Sequence, residues 1–324
     1  MTSVTAAPLP VTARVPAKVN LQLAVGPVRP DGYHDLVTVF HAVSLFDEVT
    51  VSPADRTTVL VTGEGADSVP RGSANLAVKA VTALQRALAR RGWGRPAVRI
   101  DIRKRIPVAA GLAGGSADAA AALLACNELW RTGLSMQELS GVAAALGSDV
   151  PFALAGGTSI GQGRGERLTT ALVAGTYHWV LAFAAGSLPT PVVYATCDRL
   201  RAARGGASAP AARRAPEPAL NTALLAALRS GDAAAVGPLL ANDLQPAAVS
   251  LMPELRRTLA AGREHGALGA VVSGSGPTCA FLAADAQSAG DLAVSLTGAG
   301  VCRSVVQASG PAPGAAILAR RGLA

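Results

Sequence analysis

Hydrophobic and polar positions divide the chain into strands and amphipathic helices, in two successions. Thr12–Val25 alternates loosely around Pro16, which predicts a strand with one irregular spot. The turn-rich GPVRPDGY of Gly26–Tyr33 follows, then β-branched runs at Leu36–Leu45, Asp47–Ser52 and Thr57–Val61 that predict three more strands. Asn75–Arg91 has the 3.6-residue period of a helix and stops at Gly92. Val98–Ile106 alternates apolar and charged residues, as a half-exposed strand does, and ends at Pro107. Helices are predicted over Ala117–Leu129 and Ser135–Leu146. The second starts with Ser135 and Glu138, the spacing of a capping box.

The glycine-dense Gly156–Gly165 reads as a turn between short strands, and His178–Phe183 as a buried strand. Helices are predicted over Val192–Leu200, Leu220–Leu228, Ala233–Leu240, Pro253–His265 and Gln287–Leu296. Strands are predicted at Gly269–Val272, Thr278–Leu282 and Val301–Gln307, with Ala308–Ala324 as a loose tail. Strands followed by helices in each half predict an α+β architecture in two lobes.

Length agrees, since 324 residues exceed what one core usually holds. The division is expected at 1–160 and 161–324, with the Ala/Arg/Gly/Pro segment 201–218 as a mobile surface loop. Half the residues are hydrophobic, which makes the chain globular. The net charge of +8 raises the question of nucleic acid. The basic residues are scattered, however, and the one Arg cluster has no aromatic neighbour for bases to stack on, so no nucleic-acid partner is expected. Cys126, Cys197, Cys279 and Cys302 are far apart with no zinc spacing, which fits free thiols in a reducing cytoplasm. No secretory signal or apolar run of membrane-spanning length is expected.

Chemistry concentrates in a few segments. PVAAGLAGGSADAA places glycines ahead of an alanine-rich helix, an arrangement that presents backbone N–H groups and the positive end of a helix dipole to an anion. The candidate contacts are Pro107, Val108, Ala109, Ala110, Gly111, Leu112, Ala113, Gly114, Gly115, Ser116 and Ala117. The loop is neither a Walker A nor a dinucleotide fingerprint, and a plain structural turn is the alternative reading. Lys18 and Asn20, two apart on a strand, share a face, and Lys18 is one of only three lysines, with Lys79 and Lys104. A Pro-Asp-Gly turn holds Tyr33 and His34 at a loop tip. Gly274 and Ser275 lie in an SGSG loop between strands, and Asp149 follows a helix in GSDVPF. Each of these alone has an ordinary structural explanation.

In their order along the chain, AK-N, PDGYH, GLAGGSADAA, GSDVPF and SGSGPT resemble the GHMP kinases, and PDGYH joined to AK-N is similar to the branch acting on 4-diphosphocytidyl-2-C-methyl-D-erythritol. NDLQPAAVSLMPEL, from Asn242 to Leu255, adds to the likeness, which covers about residues 11 to 307. The resemblance implies a ribosomal protein S5 domain 2-like N-terminal lobe and a ferredoxin-like C-terminal lobe. It implies ATP-dependent phosphorylation of the 2-hydroxyl of that small-molecule substrate in the non-mevalonate isoprenoid pathway, with Mg2+ bridging the β- and γ-phosphates. By the same likeness Asp149 and Lys18 are the catalytic pair and Asn20 a substrate contact, while Tyr33 stacks on a cytosine, His34 hydrogen-bonds its edge and Tyr194 is a second aromatic against it. Gly274 and Ser275 complete the substrate side. Ala113 stands where some relatives have glycine; its methyl is expected to be tolerated provided its φ is not positive. Kinases for homoserine, mevalonate or a sugar offer no cytosine and leave PDGYH without a purpose; a non-catalytic nucleotide binder is expected to lack the Lys18–Asp149 pair.

Overall fold

The computed structural model describes residues 9–205 and 217–320. Residues 206–216, most of the expected loop at 201–218, lie outside the described residues; 201–205 continue a helix rather than starting a loop.

The larger sheet is built on a long hairpin of β1 (Val11–Val28) and β2 (His34–Pro53), paired from Val11↔Val51 to Val28↔His34. The pairing steps from Pro16↔Phe46 to Ala17↔Val43, so β2 bulges at Ser44 and Leu45. The two strands expected at Leu36–Leu45 and Asp47–Ser52 are therefore one strand, bent where the pattern breaks. β3 (Thr58–Gly63) crosses through α1 (Leu76–Ala89) to β4 (Val98–Lys104), which pairs antiparallel with β2. Val98, Ile100 and Ile102 of β4 are buried, in the alternation the sequence predicts. α2 (Gly114–Trp130), α3 (Met136–Ala144) and α4 (Asp149–Ala155) join α1 in covering this sheet, and α3 has the expected Ser135–Glu138 capping box.

The Gly156–Gly165 segment corrects the turn reading: it contains β5 (Thr158–Gly163), paired with β2 and with β6 (Arg167–Thr170). Gly161 suits this strand because a Cβ there would lie 2.7 Å from the Phe40 ring; glycine lets the ring cover the backbone.

The smaller sheet contains β7 (Tyr177–Phe183), β9 (Gly269–Val272), β10 (Cys279–Ala283) and β11 (Ser304–Gly310) in the order β11-β7-β10-β9, all neighbours antiparallel. That is the order of a ferredoxin-like sheet. Its helices are α5 (Thr190–Gly205), α6 (Thr222–Ser230), α7 (Ala233–Val236), α8 (Gln245–Leu251), α9 (Glu254–Glu264) and α10 (Ala286–Gly298). α7 is one turn of the longer helix expected to Leu240, and α8 lies in NDLQPAAVSLMPEL, where the family likeness implies a helix and periodicity assigns none. Two described strands that follow β7 in the chain return to the larger sheet. β8 (Ala241–Asn242) adds parallel to β1, and β12 (Ala316–Arg320) pairs antiparallel with β1, where a loose tail was expected. With β6 and β12 both in the larger sheet, sheet membership does not follow a cut after residue 160.

Candidate active site

α2 begins without a cap. Ala113, immediately before it, has φ 60° and ψ 31°, and no side chain bonds the first-turn amides. These N–H groups, at the positive end of a 17-residue helix, face a cavity of about 350 Å3 walled by Ala109, Ala110, Gly111, Ala113, Gly114, Gly115 and Ser116. Val108 lines a smaller adjoining cavity, whereas Pro107, Leu112 and Ala117 are buried supports outside both. The condition set for Ala113 fails: its φ is positive, a left-handed conformation that strains an L-residue with a Cβ.

Two glycine loops interlock behind this cavity. Gly111 has φ 77°, and a Cβ on it would collide with Ser273 O and come within 3.0 Å of Gly276 N. Gly274 has φ 56°, and a Cβ there would lie 2.9 Å from Lys18 Nζ. Glycine at both positions lets loops from the two halves close on one lysine.

Lys18 Nζ donates to Asn20 Oδ1 at 2.5 Å and to Gly111 O at 2.7 Å. Asn20 Nδ2 in turn donates to Thr38 Oγ1 at 2.8 Å, so both polar ends of Asn20 are committed to holding Lys18 in place. Burial lowers the pKa of Lys18, opposed by the nearby charge of Asp149. Asp149 opens α4 and lines the same cavity, with no hydrogen bond or ion pair to any described residue. Ser148, not Asp149, is the N-cap position. Gly274 and Ser275 close the opposite wall, where Ser275 Oγ lies 2.9 Å from Thr190 Oγ1.

A second cavity of about 710 Å3 adjoins the first, sharing Leu36, Ser148, Arg164 and Thr190 with it. It is lined by Tyr33, His34 and Tyr194 together. The Tyr194 ring lies 5.0 Å from that of His34 at 39°, and Tyr33 projects from its turn with half its surface exposed. The Arg164 guanidinium sits 5.0 Å from the Tyr33 ring centroid, a cation–π contact at the junction of the cavities. Arg164, Thr190 and Asp198 were missed by sequence reasoning. The glycines flanking Arg164 and the Pro-Thr-Pro of 189–191 at the start of α5 were the available signals.

A cavity of about 220 Å3 continues past Leu76, Ala109 and Gly115 to an apolar slot at Val69, Pro70 and Val108, with the polar Asn75, Lys104 and Asp118 also in its wall. Beneath it Lys104 Nζ donates to Asp47 Oδ2 and, at 2.8 Å, to Asp118 Oδ2. Asp47 Oδ1 also accepts from the N–H groups of Arg105 and Ile106, whereas Asp118 Oδ1 is buried without a partner. Burial pushes the Asp118 carboxyl up to about 8: Lys104 opposes the rise, and Asp47 adds to it. Asp118 thus belongs to a buried ion cluster supporting the loop.

The comparisons with known proteins give one family. The GHMP kinases N terminal domain matches residues 75–157, which carry the uncapped helix and Asp149, and the GHMP kinases C terminal domain matches 224–302, which carry the SGSG loop. The chain is 57% identical over 313 residues to a 4-diphosphocytidyl-2-C-methyl-D-erythritol kinase of Nocardia farcinica, covering 96% of this chain and 97% of the relative. The chain belongs to the GHMP kinase family. Among GHMP kinases of known structure it is similar to a 4-(cytidine 5'-diphospho)-2C-methyl-D-erythritol kinase, with a TM-score of 0.71, 33% identity, and 92% and 98% of the two chains covered. A homoserine kinase from Cytophaga hutchinsonii shares the GHMP kinase fold at a TM-score of 0.70 and 18% identity, covering 95% of this chain and 97% of its own.

Proposed function

We propose that this GHMP kinase transfers the γ-phosphate of ATP to the 2-hydroxyl of 4-diphosphocytidyl-2-C-methyl-D-erythritol, in the non-mevalonate route to isoprenoid precursors. The observation that carries the reading is the meeting of two cavities. One joins an uncapped helix N-terminus to Lys18 and Asp149, and the other holds two tyrosines and a histidine. The first suits a triphosphate and a reacting alcohol. The second suits a flat polar base. In this reading the cytidine packs among Tyr33, His34 and Tyr194, Arg164 and Thr190 receive the diphosphate between the cavities, and the erythritol hydroxyl reaches Asp149. The apolar slot at Val69, Pro70 and Val108 takes the adenine.

Phosphoryl transfer needs alignment and charge neutralisation more than covalent chemistry. Asp149, free of competing hydrogen bonds, accepts the hydroxyl proton. Lys18, fixed by Asn20 and Gly111 O, offsets the charge that develops on the alcohol oxygen. The amides of 114–116 and the Ser116 hydroxyl hold the phosphates. Mg2+ brought in with the nucleotide would be held mainly by its phosphates beside the 114–116 turn and the Ser116 hydroxyl, and would offset phosphate charge during transfer. No three His, Cys, Asp or Glu among the described residues are grouped to hold a metal, a donor set that fits an ion held mainly by phosphate. None of the helices described is long and apolar enough to cross a membrane, and the four free thiols suit work in the cytoplasm.

ADP release by the purified protein with Mg2+ and ATP, compared across the cytidyl-erythritol substrate, homoserine, mevalonate and galactose, tests the proposal. Turnover of the first alone is expected. Turnover of another alcohol in its place would overturn the cytidine assignment.

A further inference from the structure

The hydrogen bond made by one nitrogen of an imidazole decides what the other can offer. His34 opens β2 beside α5, with Nε2 at 3.1 Å from both Oδ1 and Oδ2 of Asp198. An ionised carboxylate has only lone pairs to give, so Nε2 carries the hydrogen. Nδ1 takes no hydrogen bond from a described residue and is not sealed from solvent, and His34 forms part of the wall of the larger cavity. Asp198 follows Tyr194 by four residues on α5, which brings both side chains to the same helix face. One helix therefore supplies a ring against His34 and the carboxylate that orients it. Among the described residues no other carboxylate bonds His34: Asp31 and Asp35, on the turn beside it, pair with Arg29.

We infer that Asp198 is a specificity-determining residue. It holds His34 as the Nε2–H tautomer, leaves Nδ1 as an acceptor, and so selects a pyrimidine bearing an exocyclic amine over one bearing a carbonyl. The inference rests on the base-site reading proposed above. Cytosine has one hydrogen donor on its pairing edge, the 4-amino group, and this meets the Nδ1 lone pair. Uracil places a carbonyl oxygen at that position, lone pair against lone pair. Its own donor, N3–H, lies between two carbonyl oxygens and reaches Nδ1 only if the ring slides within its stacking plane. Asp198 makes no contact with the reacting centre in this account; it acts through His34.

The test compares kcat/KM for the cytidyl substrate and its uridyl analogue in wild type, Asp198→Asn and Asp198→Ala, alongside the tautomer of His34 read by NMR of 15N-histidine-labelled protein. The chain has four histidines, a small set to assign. Wild type is expected to favour the cytidyl substrate by about tenfold or more, with His34 protonated at Nε2. In Asp198→Asn the amide can donate to Nε2, so the Nδ1–H tautomer becomes populated. The cytidyl-to-uridyl ratio should then fall by about tenfold, with the loss in KM for the cytidyl substrate exceeding that in kcat and with KM for ATP unmoved. A wild-type ratio retained in both variants, or Nδ1–H found in the wild-type protein, would overturn the inference. Equal use of both substrates by a wild-type protein with the Nε2–H tautomer would overturn it too while leaving the kinase reading intact. Turnover of neither substrate would remove the base site itself.

Discussion

Lys18 and Asp149 face one cavity without touching: the ammonium is tied to Asn20 Oδ1 and Gly111 O, and the carboxylate is left free. A direct ion pair would occupy the lone pairs that a base needs. Here the charge of Asp149 only opposes the fall that burial imposes on the Lys18 pKa, and the carboxylate oxygens stay unbonded. Asp149→Asn should therefore lower kcat by about 10²–10⁴-fold. It should leave unfolding stability within about 0.5 kcal/mol, because the carboxylate bonds nothing in the fold. Steady-state turnover together with a denaturant melt reads both. Wild-type kcat in the variant would remove Asp149 as the base.

Tyr33 and Arg164 stack across the mouth where the two cavities meet. Both are exposed, so removing either ring or cation costs the fold little and the ligand more. Tyr33→Ala should raise KM for the cytidyl substrate about tenfold while KM for ATP stays put. An unmoved KM would take Tyr33 out of the base site.

These two predictions draw on different sources. Lys18 and Asn20 were legible in the sequence because a two-residue period puts them on one strand face, a local rule. The capping box at Ser135 and Glu138 was local in the same way. Arg164 and Asp198 were not legible, since each is an ordinary surface charge until β5 and α5 fold against the PDGYH turn. β12 escaped for a related reason: its partner, β1, lies some 300 residues earlier, and no short pattern announces such a pairing. The break read between two strands at Phe46 falls beside a bulge at Ser44 and Leu45, while Phe46 itself pairs with Pro16.

The Lys104–Asp47–Asp118 cluster gives stability a pH dependence whose sign follows from Asp118. Its carboxyl is raised from 3.8 to about 8, by burial first and by Asp47 in addition, against the pull of Lys104. The folded state thus holds this proton more tightly than the unfolded chain does. That stabilisation is complete below about 3.8 and is lost as pH rises through about 8. Lys104, raised because its two carboxylates outweigh its burial, changes charge only above this window. Between pH 6 and 8 Asp118 should contribute a decline of at most about 1.4 kcal/mol per pH unit. Asp118→Asn, which keeps the shape and cannot ionise, should flatten that part of the curve in urea titrations across this range. An identical slope in the variant would show that Asp118 does not hold the proton.

Ala113 sits left-handed at the threshold of α2, where glycine would carry no Cβ strain. Relief of about 1–2 kcal/mol in the folded state is set against roughly 0.4–1 kcal/mol of extra entropy that glycine brings to the unfolded chain. Ala113→Gly should therefore stabilise the protein by about 0.5–1 kcal/mol, read as a higher denaturation midpoint. A lower midpoint would mean that the backbone there is not held at positive φ.

Asn242 fastens the SGSG loop from behind. Its Nδ2 donates to Val272 O and Gly274 O, both at 2.7 Å, and its Oδ1 accepts from Leu244 N at 2.8 Å. Gln245 adds a bond from Val272 N to its Oε1 at 2.9 Å, so the NDLQ sequence grips this loop at adjacent points. Gly274 in turn backs Lys18, which links the motif to the reacting centre through the loop. Asn242→Asp keeps the size but turns a donor shared by two carbonyls into an acceptor facing them. The cost should be about 2–4 kcal/mol of stability, since two buried acceptors lose their partner and meet a negative charge. Protein that remains folded at low temperature should show reduced kcat, because Gly274 no longer confines the ammonium. Asn242→Ser, which can donate to only one of the carbonyls, should fall between the two. A fully active, fully stable Asp variant would show that the loop holds its shape without this side chain and that the likeness at NDLQ marks something other than support of Lys18.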